Sequence, residues 1–291
     1  MKLVEDIFEI AESFMKNSKY VELNKHRINA MADTMLTAGK PTFPIPEVKN
    51  PFKGIVLELV AASVNYCYWY GRSDIRPGGA SSTWMYELLM NCFFDFDVPD
   101  YKKLSECLDR FGRAMSIHRF PLLEERIHHL NQLKKYSLDY CIAIENRYYV
   151  GIGGSADLTY FFTELVEKFP GFASDIFLKR SSLFFIQLFR RFGWLSDELD
   201  LLHVPADYQV PKMLEHYSCI HYVSSLKNDI ENNQLIPKNS LQECEIRAAT
   251  IVAIKKLCDL TDWNVAEVDA FFFLRRHDTK NPFHLCITTD Y

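Results

Sequence analysis

The sequence lacks most of the signatures that place a chain quickly. No stretch of about 18 apolar residues is present, so no membrane-crossing helix is expected. The N-terminal residues Leu3, Ile7, Ile10 and Phe14 follow helical spacing, but Glu5, Asp6, Glu9 and Glu12 lie among them. That acidic, amphipathic start fits neither a secretory signal nor a mitochondrial transit peptide. The eight cysteines are dispersed, with no two closer than the 14 residues between Cys244 and Cys258. C-x-x-C zinc and redox motifs are therefore absent, and the cysteines read as reduced core residues of a cytoplasmic protein. The nine histidines form no H-E-x-x-H, and His128-His129 and His216/His221 are wrongly spaced for two ligands on one helix face, so neither a metal nor another cofactor is expected. No Lys/Arg-rich stretch occurs, and 33 basic against 38 acidic residues give a net charge of −5. A duplex-binding protein would carry a basic stripe.

What is present is apolar and helical. Of the 291 residues 48% are hydrophobic and 24% charged, enough to fill a sizeable core, and 22 Phe and 15 Tyr can build either that core or a pocket for a flat ligand. Apolar periodicity predicts helices near 2–16, 22–38, 52–63, 81–95, 101–111, 120–135, 156–168, 176–192, 211–219, 239–258 and 264–277. Ser240-Leu241-Gln242-Glu243 and Asn264-Val265-Ala266-Glu267 fit capping boxes, and Pro121 suits the first turn of its helix. Strand signals are confined to Val64–Tyr70, a short strand or an extended pocket wall, and to Cys286–Thr289. The breaks at 39–51, 71–80 and 151–155 are too short to be disordered linkers, and no internal repeat is visible. The expected architecture is mainly α, one helical domain over residues 1–291.

Several segments carry residues capable of chemistry. In Pro205-Ala206-Asp207-Tyr208-Gln209-Val210-Pro211 a carboxylate is held between two prolines just before a helix, where the helix dipole favours its ionised form. Asp207 there is either a plain turn or helix cap, or the fixed carboxylate that an enzyme sets opposite a developing cation. Gly151-Ile152-Gly153-Gly154-Ser155 matches neither G-x-G-x-x-G nor a P-loop and reads first as a loop ending in a serine cap. Glu124 and Glu125 in Phe120–Arg126 compensate a helix dipole or accept from a ligand amine or hydroxyl. Glu243 stands four residues before Arg247, in the favourable order for a surface pair, and with Glu245 reads as a solvated face. Arg275-Arg276-His277 reads first as dipole compensation and second as a phosphate clamp. Asn65 and Trp69 share a face if their segment is extended, offering an amide and an indole to a heterocycle, while Trp84 belongs with the same aromatic group.

The order of these blocks resembles the queuosine salvage family, whose members are queuosine 5′-phosphate N-glycosylases. The resemblance rests on Val64-Asn65-Tyr66-Cys67-Tyr68-Trp69, Ser82-Thr83-Trp84, Phe120–Arg126, Phe169-Pro170 before Asp175, Ala206–Pro211, Glu243–Ala248 and Pro282-Phe283-His284, and spans roughly residues 10 to 291. It departs from the family at two places. Leu183-Phe184-Phe185-Ile186 stands where a further basic residue is usual after Lys179-Arg180, and Phe273-Leu274 stands where a tryptophan–aspartate pair is usual.

The resemblance implies a helical fold like that of helix-hairpin-helix DNA glycosylases, without duplex binding, and hydrolysis of an N-glycosidic bond that releases queuine for tRNA modification. It implies Asp207 as the catalytic carboxylate, beneath an oxocarbenium-like ribose carbon. It also implies Glu124 and Glu125 against the cationic amine of queuine, Asn65 on the base edge, Trp69, Trp84 and Tyr208 around the base, and Lys179, Arg180, Arg275 and His284 toward the 5′-phosphate. The expected partner is this small nucleotide, bound by a monomer with no membrane or duplex contact. Two other readings are a glycosylase acting on a base in nucleic acid, which would need a basic groove, and a catalytically inactive nucleoside-binding protein, which the two departures would suit.

Overall fold

A computed structural model of the chain describes residues 4–70, 81–150 and 157–291. Thirteen α-helices and a two-stranded sheet are found among them, so the protein is mainly α. In chain order these are α1 (Val4–Lys16), β1 (Val21–Leu23), α2 (Lys25–Ala38), α3 (Pro51–Ser63), α4 (Ser82–Cys92), α5 (Tyr101–Ile117), α6 (Leu123–Glu145), α7 (Leu158–Lys168), α8 (Pro170–Ala173), α9 (Lys179–Phe192), α10 (Gln209–His216), β2 (Ile220–Tyr222), α11 (Ser224–Glu231), α12 (Leu241–Thr261) and α13 (Val265–Leu274). A π-helical turn, Asn146–Val150, extends α6.

Two helices organise the packing. α12 is buried on every face from Glu243 to Ile254, as a helix without a polar side must be. α1, α2, α10 and α13 lie against it. α3, also buried along nearly its whole length, packs on α6 and α9, and α9 in turn meets α13. One continuous apolar cluster runs from Ile7 in α1 to Phe272 in α13. β1 and β2 pair antiparallel with Val21 opposite Tyr222 and lie beside α12. Neither these strands nor α11 was expected: three residues are too short to set up a readable periodicity, and α11 buries only Leu226 and Ile230.

The solvated face expected at Glu243, Glu245 and Arg247 is instead the centre of the protein, since all three are fully buried. Glu245 accepts from the backbone N–H groups of Lys19, Tyr20 and Val21 and from the Ser18 hydroxyl, tying the end of α1 to α12. Arg247 pairs bidentately with Asp175 at 2.8 and 2.6 Å and with Glu243 at 3.2 Å, and its Nε donates to the Ala206 carbonyl at 2.9 Å. The capping box expected at Ser240 forms only in half: Ser240 accepts from Glu243 N–H, but the Glu243 carboxylate turns to Asn239 N–H and Arg247. The box at Asn264 and Glu267 is complete.

Val64–Tyr70 pairs with no strand. Its carbonyl groups are taken by buried cations instead: Ser63 by Arg180, Val64 and Tyr66 by Arg126, and Asn65 by Lys179. Cys67 adopts φ +40°, in the left-handed region, and its N–H donates to the Tyr291 carbonyl at 2.9 Å. Cys286–Thr289 also forms no sheet. Burial alternates there, with His284, Cys286, Thr288 and Asp290 inside, which explains the strand-like pattern, but the one ladder contact is the bridge between Leu235 and Leu285. Pro121 precedes α6 rather than lying in its first turn. Leu122 breaks the helix with φ +50°, and the Pro121 carbonyl is held by Arg126 Nε at 2.7 Å.

Removing one member of a buried ion pair leaves an uncompensated charge in the interior. Arg247→Met strands the carboxylates of Asp175 and Glu243, and is expected to cost about 3–5 kcal/mol. Thermal unfolding followed by circular dichroism should show a fall in Tm of about five to eight degrees; a Tm within two degrees of the parent would remove this network from the stabilising core.

Candidate active site

Asp207 sits where the chain turns from the Val204–Ala206 stretch into α10. Its Oδ1 accepts from Gln209 N–H at 2.7 Å, so the carboxylate does close the turn that local sequence suggests. It also keeps accessible surface while the flanking Ala206 and Tyr208 are buried. Its ionisation is the reverse of the simple expectation. Burial pushes the Asp207 carboxyl above its ordinary value, while Lys179 and the Gln209 N–H pull it back down only in part. The N-terminus of the eight-residue α10 thus does not outweigh desolvation.

Lys179 opens α9 and is almost wholly buried. Asp175 places it: its carboxylate accepts from the N–H groups of Phe177 and Lys179, and Leu178 turns at φ +48° into the helix. α9 therefore starts at Lys179 and not at 176, as periodicity predicted. Burial lowers the Lys179 ammonium to about 8, with Asp207 acting in the opposite sense. The Lys179 Nζ donates to Asn65 at both its carbonyl and side-chain oxygens, each at 2.9 Å. Burial raises the Asp175 carboxyl, but the Arg247 guanidinium together with the Lys179 and Phe177 N–H groups holds it below its usual value. Asn65 and Lys179 are thus linked to α12 through the Asp175 carboxylate and Arg247, and Asp207 through the preceding Ala206 carbonyl and the same arginine.

An aromatic wall adjoins this group. Tyr208, Cys286 and Tyr291 form a small buried cluster against which Trp69 and Phe283 pack, with the Tyr208 and Phe283 rings 4.6 Å apart. Two polar atoms here are buried without a protein partner, the indole N–H of Trp69 and Gln209 Oε1. Such orphaned groups are unusual in a folded interior and leave a donor and an acceptor open to a water or a ligand.

The remaining residues singled out from sequence lie elsewhere or are otherwise engaged. Arg180 is buried. Its terminal nitrogens donate to the carbonyls of Ser63 and Gly171, and the guanidinium lies 5.2 Å from the Tyr66 ring. Gly171 is required there, since a Cβ would stand 2.7 Å from the His129 ring. Arg275 caps α13 by donating to the Phe271 carbonyl and lies 3.7 Å over the Phe271 ring, in keeping with dipole compensation. His284 is buried, meets Tyr291 Oη at 3.2 Å, and is lowered by burial to about 3, so it is a neutral group at physiological pH. No hydrogen bond or ion pair joins Arg180, Arg275 or His284 to Asp207. Trp84 is half-buried and stacks on Phe120 at 4.8 Å; Phe120 also lies near Tyr68 and Arg126. Glu124 and Glu125 are exposed in the first turn of α6. Gly151–Ser155 lies outside the described residues. Lys212 and Arg276 are both within electrostatic reach of Asp207; Arg276 belongs to the Arg275-Arg276-His277 run noted in the sequence, whereas Lys212 went unnoticed because an isolated lysine on a short helix carries no pattern. A surface depression of about 510 Å³, lined by Phe14, Ser174, Asp175 and Asn239 among others, includes none of Asp207, Lys179 or Asn65.

The site thus brings together, in a mainly α fold, a half-buried carboxylate and a buried lysine within its electrostatic reach. A family model for the queuosine salvage protein matches residues 57–270, and the chain belongs to that family. It is similar to three proteins named queuosine 5′-phosphate N-glycosylase/hydrolase. The one from Dictyostelium discoideum is 28% identical over 217 residues, covering 69% of this chain and 64% of that protein. The one from Sphaerobacter thermophilus is 26% identical over 219 residues, covering 68% of this chain and 67% of that protein. The one from Schizosaccharomyces pombe is 32% identical over 80 residues, 26% of this chain and 23% of that protein. The matched part therefore spans about two-thirds of the length of the first two relatives.

A carboxylate whose pKa is raised on folding destabilises the folded state once it ionises. The folded form holds its proton more tightly, so stability is lost as pH rises from the unfolded value, near 4, through the raised folded value. Asp207→Asn keeps the acceptor for Gln209 N–H and removes the charge. It should melt at a higher temperature than the parent at pH 7, with the gain shrinking toward pH 4, when both are followed by scanning calorimetry. An equal or lower Tm at pH 7 would contradict the raised ionisation.

Proposed function

We propose that this protein hydrolyses the N-glycosidic bond of queuosine 5′-monophosphate and releases queuine base for salvage into tRNA. The observation that carries this reading is the half-buried, accessible Asp207 within the field of a buried lysine, in a chain of the queuosine salvage family. Ionised Asp207 opposes the positive charge that develops at the ribose C1′ as the bond to the base breaks and its electron pair leaves with the base. Water then adds to C1′, and the base takes up a proton. A carboxylate raised toward neutrality is well suited to accept a proton from that water. A 7-deazapurine has no N7 to protonate, so assistance to the leaving base falls at its carbonyl or N3 edge.

Asn65, fixed by Lys179, faces the base edge in this reading, and Trp69 with Tyr208 forms the apolar wall for the ring. The unpartnered indole N–H of Trp69 and Gln209 Oε1 supply a donor and an acceptor for the base or ribose. Trp84, Glu124 and Glu125 take the cyclopentene side chain and its amine. Lys179 adds positive charge toward the 5′-phosphate, and Arg180, by clamping the Ser63 carbonyl, holds the segment that carries Asn65.

The test is incubation of the protein with queuosine 5′-monophosphate and separately with queuosine, following free queuine by chromatography. Asp207→Asn is expected to lower the rate by about two to four powers of ten. The kcat/KM profile should rise as pH climbs through the raised pKa of Asp207 and fall above about 8, where Lys179 loses its proton. Lys179→Arg should move the alkaline limb upward. Absence of queuine release from both substrates by folded protein would sink the assignment in favour of a binding-only role.

A further inference from the structure

Among the described residues, two cations within electrostatic reach of Asp207 have no carboxylate ion-pair partner. Lys212 lies on α10, one turn beyond Asp207, and is 9% exposed. Its described protein acceptor is the main-chain oxygen of Arg276, at 2.6 Å. Arg276 follows α13, with its guanidinium 4.0 Å over the Phe273 ring and a donor on the Phe273 carbonyl at 2.8 Å. Among the described residues neither side chain forms an ion pair with a carboxylate, and the nearby Asp269 is already paired with Arg190 at 2.8 Å. Burial lowers both cations, Arg276 further depresses Lys212, and both depress the adjacent His277, while Asp207 is the carboxylate that pulls each of the two back up. Buried cations are ordinarily paired. Among the described residues the buried Lys212 has only a carbonyl oxygen as partner, and the half-buried Arg276 only a carbonyl oxygen and a ring face.

We propose that Lys212 and Arg276 form the anion subsite beside Asp207, and that the group they take is the phosphate monoester of the ligand. The proposal rests on the glycosylase reading for the identity of the ligand, but its charge argument stands on the protein alone. It also accounts for the departure in α9. Phe184, Phe185 and Ile186 are fully buried, with Phe185 stacked on Phe162 and Phe184 against Tyr140, so a further cation has no room at those positions, and the charge is supplied from α10 and the end of α13. Lys179 is already committed to Asn65 and completes the positive field from the other side. Arg276, held by the Phe273 ring, presents a planar donor set suited to two phosphate oxygens, and Lys212 adds a point charge.

Titration calorimetry of the full chain with ribose 5-phosphate, inorganic phosphate and ribose tests this directly, using Lys212→Gln and Arg276→Gln with folding checked by thermal melting. Each variant is expected to bind ribose 5-phosphate roughly 10- to 100-fold more weakly than the parent. The preference for queuosine 5′-monophosphate over queuosine in kcat/KM should fall by a similar factor. No binding of ribose 5-phosphate or phosphate by the parent, or unchanged affinity in a folded variant, would overturn the subsite. Should Lys212→Gln fail to fold, Arg276→Gln, at a half-buried helix end, decides alone. Phosphate binding that depends on the pair without queuine release from either nucleotide or nucleoside would uphold the subsite while rejecting the glycosylase reading.

Discussion

The buried pairing of Arg247 with Asp175 is the constraint on which the candidate site depends. One guanidinium joins α12 to the turn that starts α9 and, through the Ala206 carbonyl, to the residue before Asp207. Asp175 in turn caps the first turn of α9 and so fixes where Lys179 begins. The position of Lys179 relative to Asp207 is thus set by charge pairing inside the core, not by either residue's own turn. A network of this kind is costly to desolvate and strongly destabilising to break, and its geometric value is that few alternative packings satisfy it.

The same logic extends to the segment after α3. Four successive carbonyls, from Ser63 to Tyr66, point at the side chains of Arg180, Arg126 and Lys179, with the Arg126 guanidinium also 4.3 Å over the Tyr66 ring. In a sheet those carbonyls would be satisfied by a neighbouring strand. Here cations from α6 and α9 satisfy them, and the backbone is free to present Asn65 and Trp69 in an irregular conformation. The stretch ending at Tyr291 completes the wall by accepting from Cys67 N–H. The aromatic surface beside Asp207 is therefore assembled from three distant parts of the chain.

Electrostatically the site is a conflict held in place by packing. Burial raises Asp207 and lowers Lys179, so each group is pushed toward its neutral form and each partly restores the charge of the other. Groups displaced toward neutrality in opposite directions exchange protons near physiological pH more readily than free side chains do. Lys212 and Arg276 add positive charge on the side of α10 and α13. An anionic ligand would relieve that imbalance while leaving Asp207 opposite the reacting carbon.

Much of the frame was legible in the amino-acid sequence, because long amphipathic or wholly apolar helices such as α1, α3, α5 and α12 leave a 3.6-residue period, and the Asn264 box and the turn at Asp207 are local hydrogen-bonding patterns. The ordered blocks from Asn65 to His284 likewise carried the family. Sequence misjudged the elements whose state depends on remote partners. Glu243, Glu245 and Arg247 have the spacing of a surface pair and lie in the core, because their counter-charges and N–H donors come from Asp175 and the end of α1. Val64–Tyr70 has the alternation of a strand, yet buried cations took its carbonyls. Asp207 stood at a helix mouth, as its prolines required, but the balance between helix dipole and desolvation was decided by how deeply the fold encloses it. Local conformational preference is written along the chain; burial and charge pairing arise only when distant segments meet.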